Sequence, residues 1–155
     1  MFLQYDFLRI QQAIIWAIES GYRHIDTAAL YDNEAEIGKG ISDVLKKGLV
    51  RRDDLFITTK LRNDNHAKNQ VVPALRESLT KLGLQYVDLY LINTPHARKK
   101  GGSPTNIDYL ETWQGMKEAK KLGLAKSIGV SNFNTEQIDR IKAHSKIVPA
   151  VNQIG

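Results

Sequence analysis

Apolar positions along the chain fall into two alternating patterns. Short runs rich in Ile and Val read as strands: His24–Ala28, Leu55–Lys60, Val87–Asn93, Ser127–Ser131 and Ala150–Ile154. They are nearly continuous in hydrophobicity, as strands of a parallel sheet buried on both faces should be. Between them the apolar positions repeat at helical spacing. Ile10, Ile14, Ala17 and Ile18 share one face of a helix predicted from Leu8 to Ser20, before Gly21. Ile37, Ile41, Val44 and Leu45 do so from Glu34 to Lys47, before Gly48. Leu75, Leu79 and Leu82 mark a helix from Gln70 to Leu82, before Gly83. Leu110, Trp113, Met116 and Ala119 mark one from Asp108 to Leu122, before Gly123, with Trp113 expected in the core. A last helix opens at Asn134 or Thr135, with Thr135 placed to cap it ahead of Glu136. A glycine after each of the first four helices is the expected stop.

Regular alternation of strand and helix leaves two architectures, a doubly wound sheet or a (β/α)8 barrel. A dinucleotide-binding doubly wound fold usually opens with a Gly-x-Gly-x-x-Gly turn after its first strand, and no such turn is present. The chemically capable residues stand instead at the C-terminal ends of successive strands: Asp26, Lys60, Asn93, Ser131 with Asn132, and Gln153. In a barrel those ends share one rim, where active sites sit. The predicted fold is therefore α/β, a partial (β/α)8 barrel of five parallel strands, with residues 1–155 forming one incomplete barrel domain.

Composition narrows the class. The 155 residues are 42% hydrophobic and 25% charged, a soluble globular mix. No apolar run approaches the roughly 20 residues of a membrane span. Met1–Asp6 lacks the basic start and apolar core of a secretory leader, so a cytoplasmic protein is expected. The lack of cysteine excludes disulfides and thiolate metal sites. The net charge of +5 raises the question of nucleic acid, but the charges are scattered. The densest cluster, Arg98-Lys99-Lys100, adjoins Gly101-Gly102 without interleaved aromatics and reads as a solvated loop. No nucleic-acid partner is expected.

Tyr31, Lys60 and Asp26 form a trio suited to carbonyl reduction. The reaction delivers hydride to carbon and a proton to oxygen, so an acid must lie within reach of that oxygen. A phenol ordinarily ionises near pH 10. It serves as that acid when a neighbouring ammonium stabilises the phenolate, and the ammonium in turn needs a carboxylate to hold it. Each residue also has a plainer reading: Tyr31 as a packing residue, Asp26 as a turn cap, Lys60 as a surface charge.

The motifs add a resemblance. Gly21-Tyr22-Arg23-His24-Ile25-Asp26-Thr27-Ala28, followed by Tyr31, Asn33-Glu34 and Ile37-Gly38, resembles the first signature of the aldo-keto reductases. Ser127-Ile128-Gly129-Val130-Ser131-Asn132-Phe133 resembles the second. Phe56–Leu61 and Val151–Ile154 match in spacing and type, so the likeness runs from about residue 10 to the last residue. It implies an NADP(H)-dependent oxidoreductase that reduces an aldehyde or ketone to an alcohol. Tyr31 is then the general acid, Lys60 acts on it, and Asp26 pairs with Lys60. Ser131, Asn132 and Gln153 would hydrogen-bond the nicotinamide carboxamide, which needs both a donor and an acceptor.

The chain departs from that family in two places. The family usually carries a histidine at the strand end where this chain has Asn93, in Leu91-Ile92-Asn93-Thr94-Pro95. Asn93 can donate a hydrogen bond to a substrate carbonyl but cannot titrate. His96 stands three residues on, beyond Pro95, poorly placed to substitute. The second departure is length: the five strands match the second to sixth of the family, and the chain stops at Gly155, where the family usually has glutamate. The two outer strands would then carry unpaired backbone groups, and self-association through those edges is expected. The alternative function is accordingly a catalytically weak or inactive relative acting through binding or self-association.

Overall fold

A computed structural model describes residues 2–155 and, within its first helix, side chains from Leu8 onward. The expectation drawn from Met1–Asp6 concerns side chains outside this set. Five helices and five strands alternate: α1 (Phe2–Glu19), β1 (His24–Asp26), α2 (Glu34–Lys46), β2 (Phe56–Leu61), α3 (Lys68–Leu82), β3 (Val87–Ile92), α4 (Tyr109–Lys121), β4 (Ala125–Ser131), α5 (Thr135–His144) and β5 (Asn152–Gln153). Every predicted strand is present. The first helix begins six residues earlier than its apolar repeat indicated. Three strands are shorter than read: β1 ends at Asp26 because the chain turns into a 3-10 segment at Ala29–Tyr31, β3 stops one residue early at Ile92, and β5 keeps only two residues. The cap of α5 is Asn134, not Thr135. Its side chain accepts from the Gln137 amide while Gln137 reaches back to the Asn134 amide, a reciprocal arrangement that satisfies two terminal donors.

All strand pairs are parallel and the sheet order is β1-β2-β3-β4-β5. A doubly wound sheet reverses direction at a switch point; here the order never reverses, which leaves the barrel. The sheet is also curled. Four strand spacings of about 4.8 Å would hold β1 and β5 about 19 Å apart in a flat sheet. Yet the Gln153 side chain on β5 donates to the Asp26 carboxylate on β1. The wall is a half-barrel that closes toward itself at the rim.

Alternation along each strand separates two faces. Ile25, Ile57, Tyr90, Ile92, Ile128 and Val130 point outward and are buried against the helices, with Trp113 and Met116 of α4. The Trp113 indole donates to Ile147 O at 3.0 Å, so this tryptophan is core, as its helix face predicted. Gly38 allows α2 to approach α3: a Cβ there would lie 2.5 Å from Lys81 O. That contact fixes α2, and with it the loop carrying Tyr31.

Candidate active site

Register decides which side chains share the inner face at the rim. Asp26 pairs with Thr58, Lys60 with Leu91, Leu91 with Gly129, and Ser131 with Gln153. With a period of two, Asp26, Lys60, Asn93, Ser131 and Gln153 all fall on the concave side. Beneath them the interior is filled. A Cβ on Gly129 would meet Val151 O at 2.8 Å and Leu91 Cδ2 at 2.9 Å, so glycine is required for the rim residues to rest on a packed floor.

Lys60 is almost fully buried, at 4% exposure. Its ammonium donates to Asp26 Oδ1 and, at 3.2 Å, to Thr27 O. It lies 5.2 Å from the centroid of the Tyr31 ring. The tyrosine itself is half-exposed at the open mouth. It ends the 3-10 turn Ala29–Tyr31, and Asp32 follows in a left-handed conformation (φ 53°). Two hydrogen bonds pin this turn: Thr27 Oγ1 donates to Asn33 Oδ1 at 3.1 Å, and Thr59 Oγ1 to Glu34 Oε1 at 2.6 Å. The Asp26 carboxylate is thus shared, one oxygen with Lys60 and the other with Gln153.

The remaining rim residues form one network. Ser131 Oγ donates to Gln153 O at 2.8 Å and accepts from Asn132 Nδ2 at 3.2 Å. Asn132, at φ 59°, also donates to Asn93 O at 3.3 Å and accepts from the Gly155 amide at 3.1 Å. The structure therefore brings Tyr31, Lys60 and Asp26 together, with Gln153 directly attached and Ser131, Asn132 and Asn93 alongside. His96 is exposed on the following loop. Its backbone carbonyl accepts from Thr94 Oγ1 at 3.4 Å. Sequence reasoning missed Thr27, whose carbonyl accepts a second hydrogen bond from the Lys60 ammonium; a backbone acceptor leaves no signal in side-chain patterns. It also missed the anchoring of Glu34 by Thr59. Among the described residues no group of three or more His, Cys, Asp or Glu side chains is placed to hold a metal, and no helix is long and apolar enough to cross a membrane.

This arrangement can be set beside known proteins. The model of the Aldo/keto reductase family matches residues 4–155. The chain belongs to that family. Aldo-keto reductase AKR2E4 of Bombyx mori is 63% identical over 145 residues, which cover 94% of this chain and 47% of the relative. The crystal structure of that reductase in complex with NADP superposes with a TM-score of 0.92, covering 93% of this chain and 47% of the other. The silkworm reductase AKR2E5, solved with NADPH, gives 0.91 at 49% identity, covering 93% and 44%. The chain spans about half the length of the aldo-keto reductases it matches. Across the part it shares with these barrels, the half-barrel of five strands is their fold.

Proposed function

We propose that this chain carries the proton-donating site of an NADP(H)-dependent reductase that converts an aldehyde or ketone to an alcohol. The observation behind this reading is the buried Lys60 ammonium, held by Asp26 and lying against the Tyr31 ring at the barrel mouth. Tyr31, half-exposed, presents its hydroxyl to a carbonyl oxygen entering from solvent. As the phenolic proton passes to that oxygen, negative charge develops on the phenol, and the Lys60 ammonium stabilises it. Asp26 fixes the lysine in place and balances its charge. Asn93 offers an amide donor to the same carbonyl.

The donor set at the ends of β4 and β5 fits a nicotinamide carboxamide: one hydroxyl and two amides, from Ser131, Asn132 and Gln153, within one hydrogen-bonded cluster. When bound, the cofactor supplies the hydride. The NADP and NADPH complexes of the two silkworm reductases support this choice of cofactor. Fluorescence titration with NADPH, with and without a generic aldehyde, tests the proposal. Saturable binding and aldehyde-dependent NADPH oxidation are expected. No binding, together with a concentration-dependent oligomer, would favour a non-catalytic relative acting through its edges.

A further inference from the structure

A cavity of about 590 Å³ opens on the outer side of the barrel wall, between α2, α3 and the loop after β3. It is not the mouth that holds Tyr31. Thr59 and Tyr90 are register partners whose side chains face the helices, whereas their neighbours Lys60 and Leu91 face the barrel interior. The sheet itself therefore separates the two sites.

The floor of this cavity is polar and buried. Glu34 is 2% exposed, Tyr90 1% and Ser78 3%. The Glu34 carboxylate accepts from Thr59 at 2.6 Å, yet no cation among the described residues lies within ion-pair distance of it. Lys81, in the same lining, interacts with the Glu34 charge through space but pairs directly with Glu77, and a buried carboxylate without a direct partner is costly to keep. Burial and the Glu34 charge push the Tyr90 phenol well above its ordinary range, so it remains a protonated hydroxyl. The rim is the reverse of the floor. Arg62 is paired with Asp64 at 3.0 Å and Lys81 with Glu77 at 2.9 Å. Arg98, Lys99 and Lys100 remain without a carboxylate partner among the described residues, and the Arg98 guanidinium donates to Gly102 O at 2.8 Å.

An unpaired negative charge below and three unpaired positive charges above select against simple ions. A free anion would meet Glu34, and a free cation would have to pass the rim. A molecule with one ammonium and two carboxylates complements both layers. We propose that this cavity binds a small ammonium dicarboxylate of the acidic amino acid class, its ammonium on Glu34 and its carboxylates toward Arg98, Lys99 and Lys100.

L-Glutamate is the probe and glutarate, which lacks the ammonium, its control. Calorimetry on the whole chain is expected to show L-glutamate binding at least about tenfold tighter than glutarate. Glu34→Gln keeps an oxygen for the Thr59 hydroxyl and removes the charge, so it should abolish that preference. The double substitution K99A/K100A should weaken both ligands together. Equal affinity of the two ligands for the native chain, or an unchanged preference in Glu34→Gln, overturns the proposal. Should Glu34→Gln fail to fold by circular dichroism, amide shifts in the native chain decide. L-Glutamate should move Glu34, Ser78 and Lys99 and leave Ser131 unmoved; shifts confined to the barrel mouth, or none, overturn it. Because the readout is binding alone, the result stands apart from the reductase reading.

Discussion

Arg52 and Asp88 meet near the N-terminal ends of the strands, and Lys60 and Asp26 at the C-terminal ends. The lower pair is closed on itself. Asp88 accepts from Arg52 at 2.8 Å and from the Ile57 amide at 2.9 Å, with Lys126 at 3.8 Å. Arg52 also donates to Leu55 O and Tyr86 O, both at 3.0 Å, and stacks 4.1 Å from the Tyr86 ring. The fixed backbone and the neighbouring ring leave this pair little freedom to exchange partners. In the upper pair the lysine is more deeply buried than Arg52, but the Asp26 side chain is 32% exposed. Its second oxygen is held only by a side-chain amide. The same chemical unit is thus structural where its partners are backbone and responsive where they are exchangeable. A barrel's division of labour between its two faces predicts this arrangement.

The contrast breaks most sharply under substitution. Tyr31→Phe is expected to lower aldehyde-dependent NADPH oxidation about a thousandfold, within the range for a general acid, with urea unfolding and NADPH affinity nearly unchanged. A comparable loss of NADPH affinity would show that Tyr31 holds the cofactor. Asp88→Ala should do the reverse, strip the Arg52 guanidinium of its counter-charge and cost about 3 kcal/mol in urea unfolding. A midpoint equal to the native one would show that the lower cluster is ornamental.

Acid sharpens the comparison further. His66, in the turn between β2 and α3, is fully buried with both ring nitrogens unpartnered. Burial, together with the nearby His96, outweighs Asp64 and pulls its pKa from 6.5 down to about 4. The unfolded chain therefore takes up a proton in this window that the folded chain refuses. Stability contributed by neutral His66 is full above about pH 6.5 and falls as pH drops toward 4, by about 2 kcal/mol between pH 6.5 and 5. His66→Phe should flatten that slope in pH-dependent unfolding, and hydrogen exchange should show the upper turn loosening before β3. The smallest effect expected is at the mouth. Asn93→His should raise turnover about tenfold, by exchange of the amide for a better oriented oxyanion donor. A fall in turnover would mean that Asn93 is matched to its substrate.

The wall of the barrel was legible because its outer face is apolar in register and four of its five helices run into a glycine. Its strand-end residues were legible as a set because five successive runs each carry a polar side chain at or near the C-terminal end. Other features depend on proximity across the fold. Asp88 sits inside a run that reads as apolar strand, and nothing near it in sequence points to Arg52, 36 residues away. The Asp26–Gln153 contact joins positions 127 apart and follows from curvature, which a one-dimensional pattern does not encode. The Asn134 cap was missed in favour of Thr135, since both residue types cap well and only backbone geometry separates them.

The carboxylate shared between the first and last strands has a thermodynamic corollary. One Gln153 N–H is committed to Asp26, so a carboxamide that took that N–H would trade one hydrogen bond for another with a net gain close to nil, and would gain only from the second N–H and Oε1 of the same amide. The affinity of a carboxamide for this mouth would then rest on Ser131, Asn132 and the free atoms of Gln153, with the Asp26 bond setting the angle at which the Gln153 amide is presented.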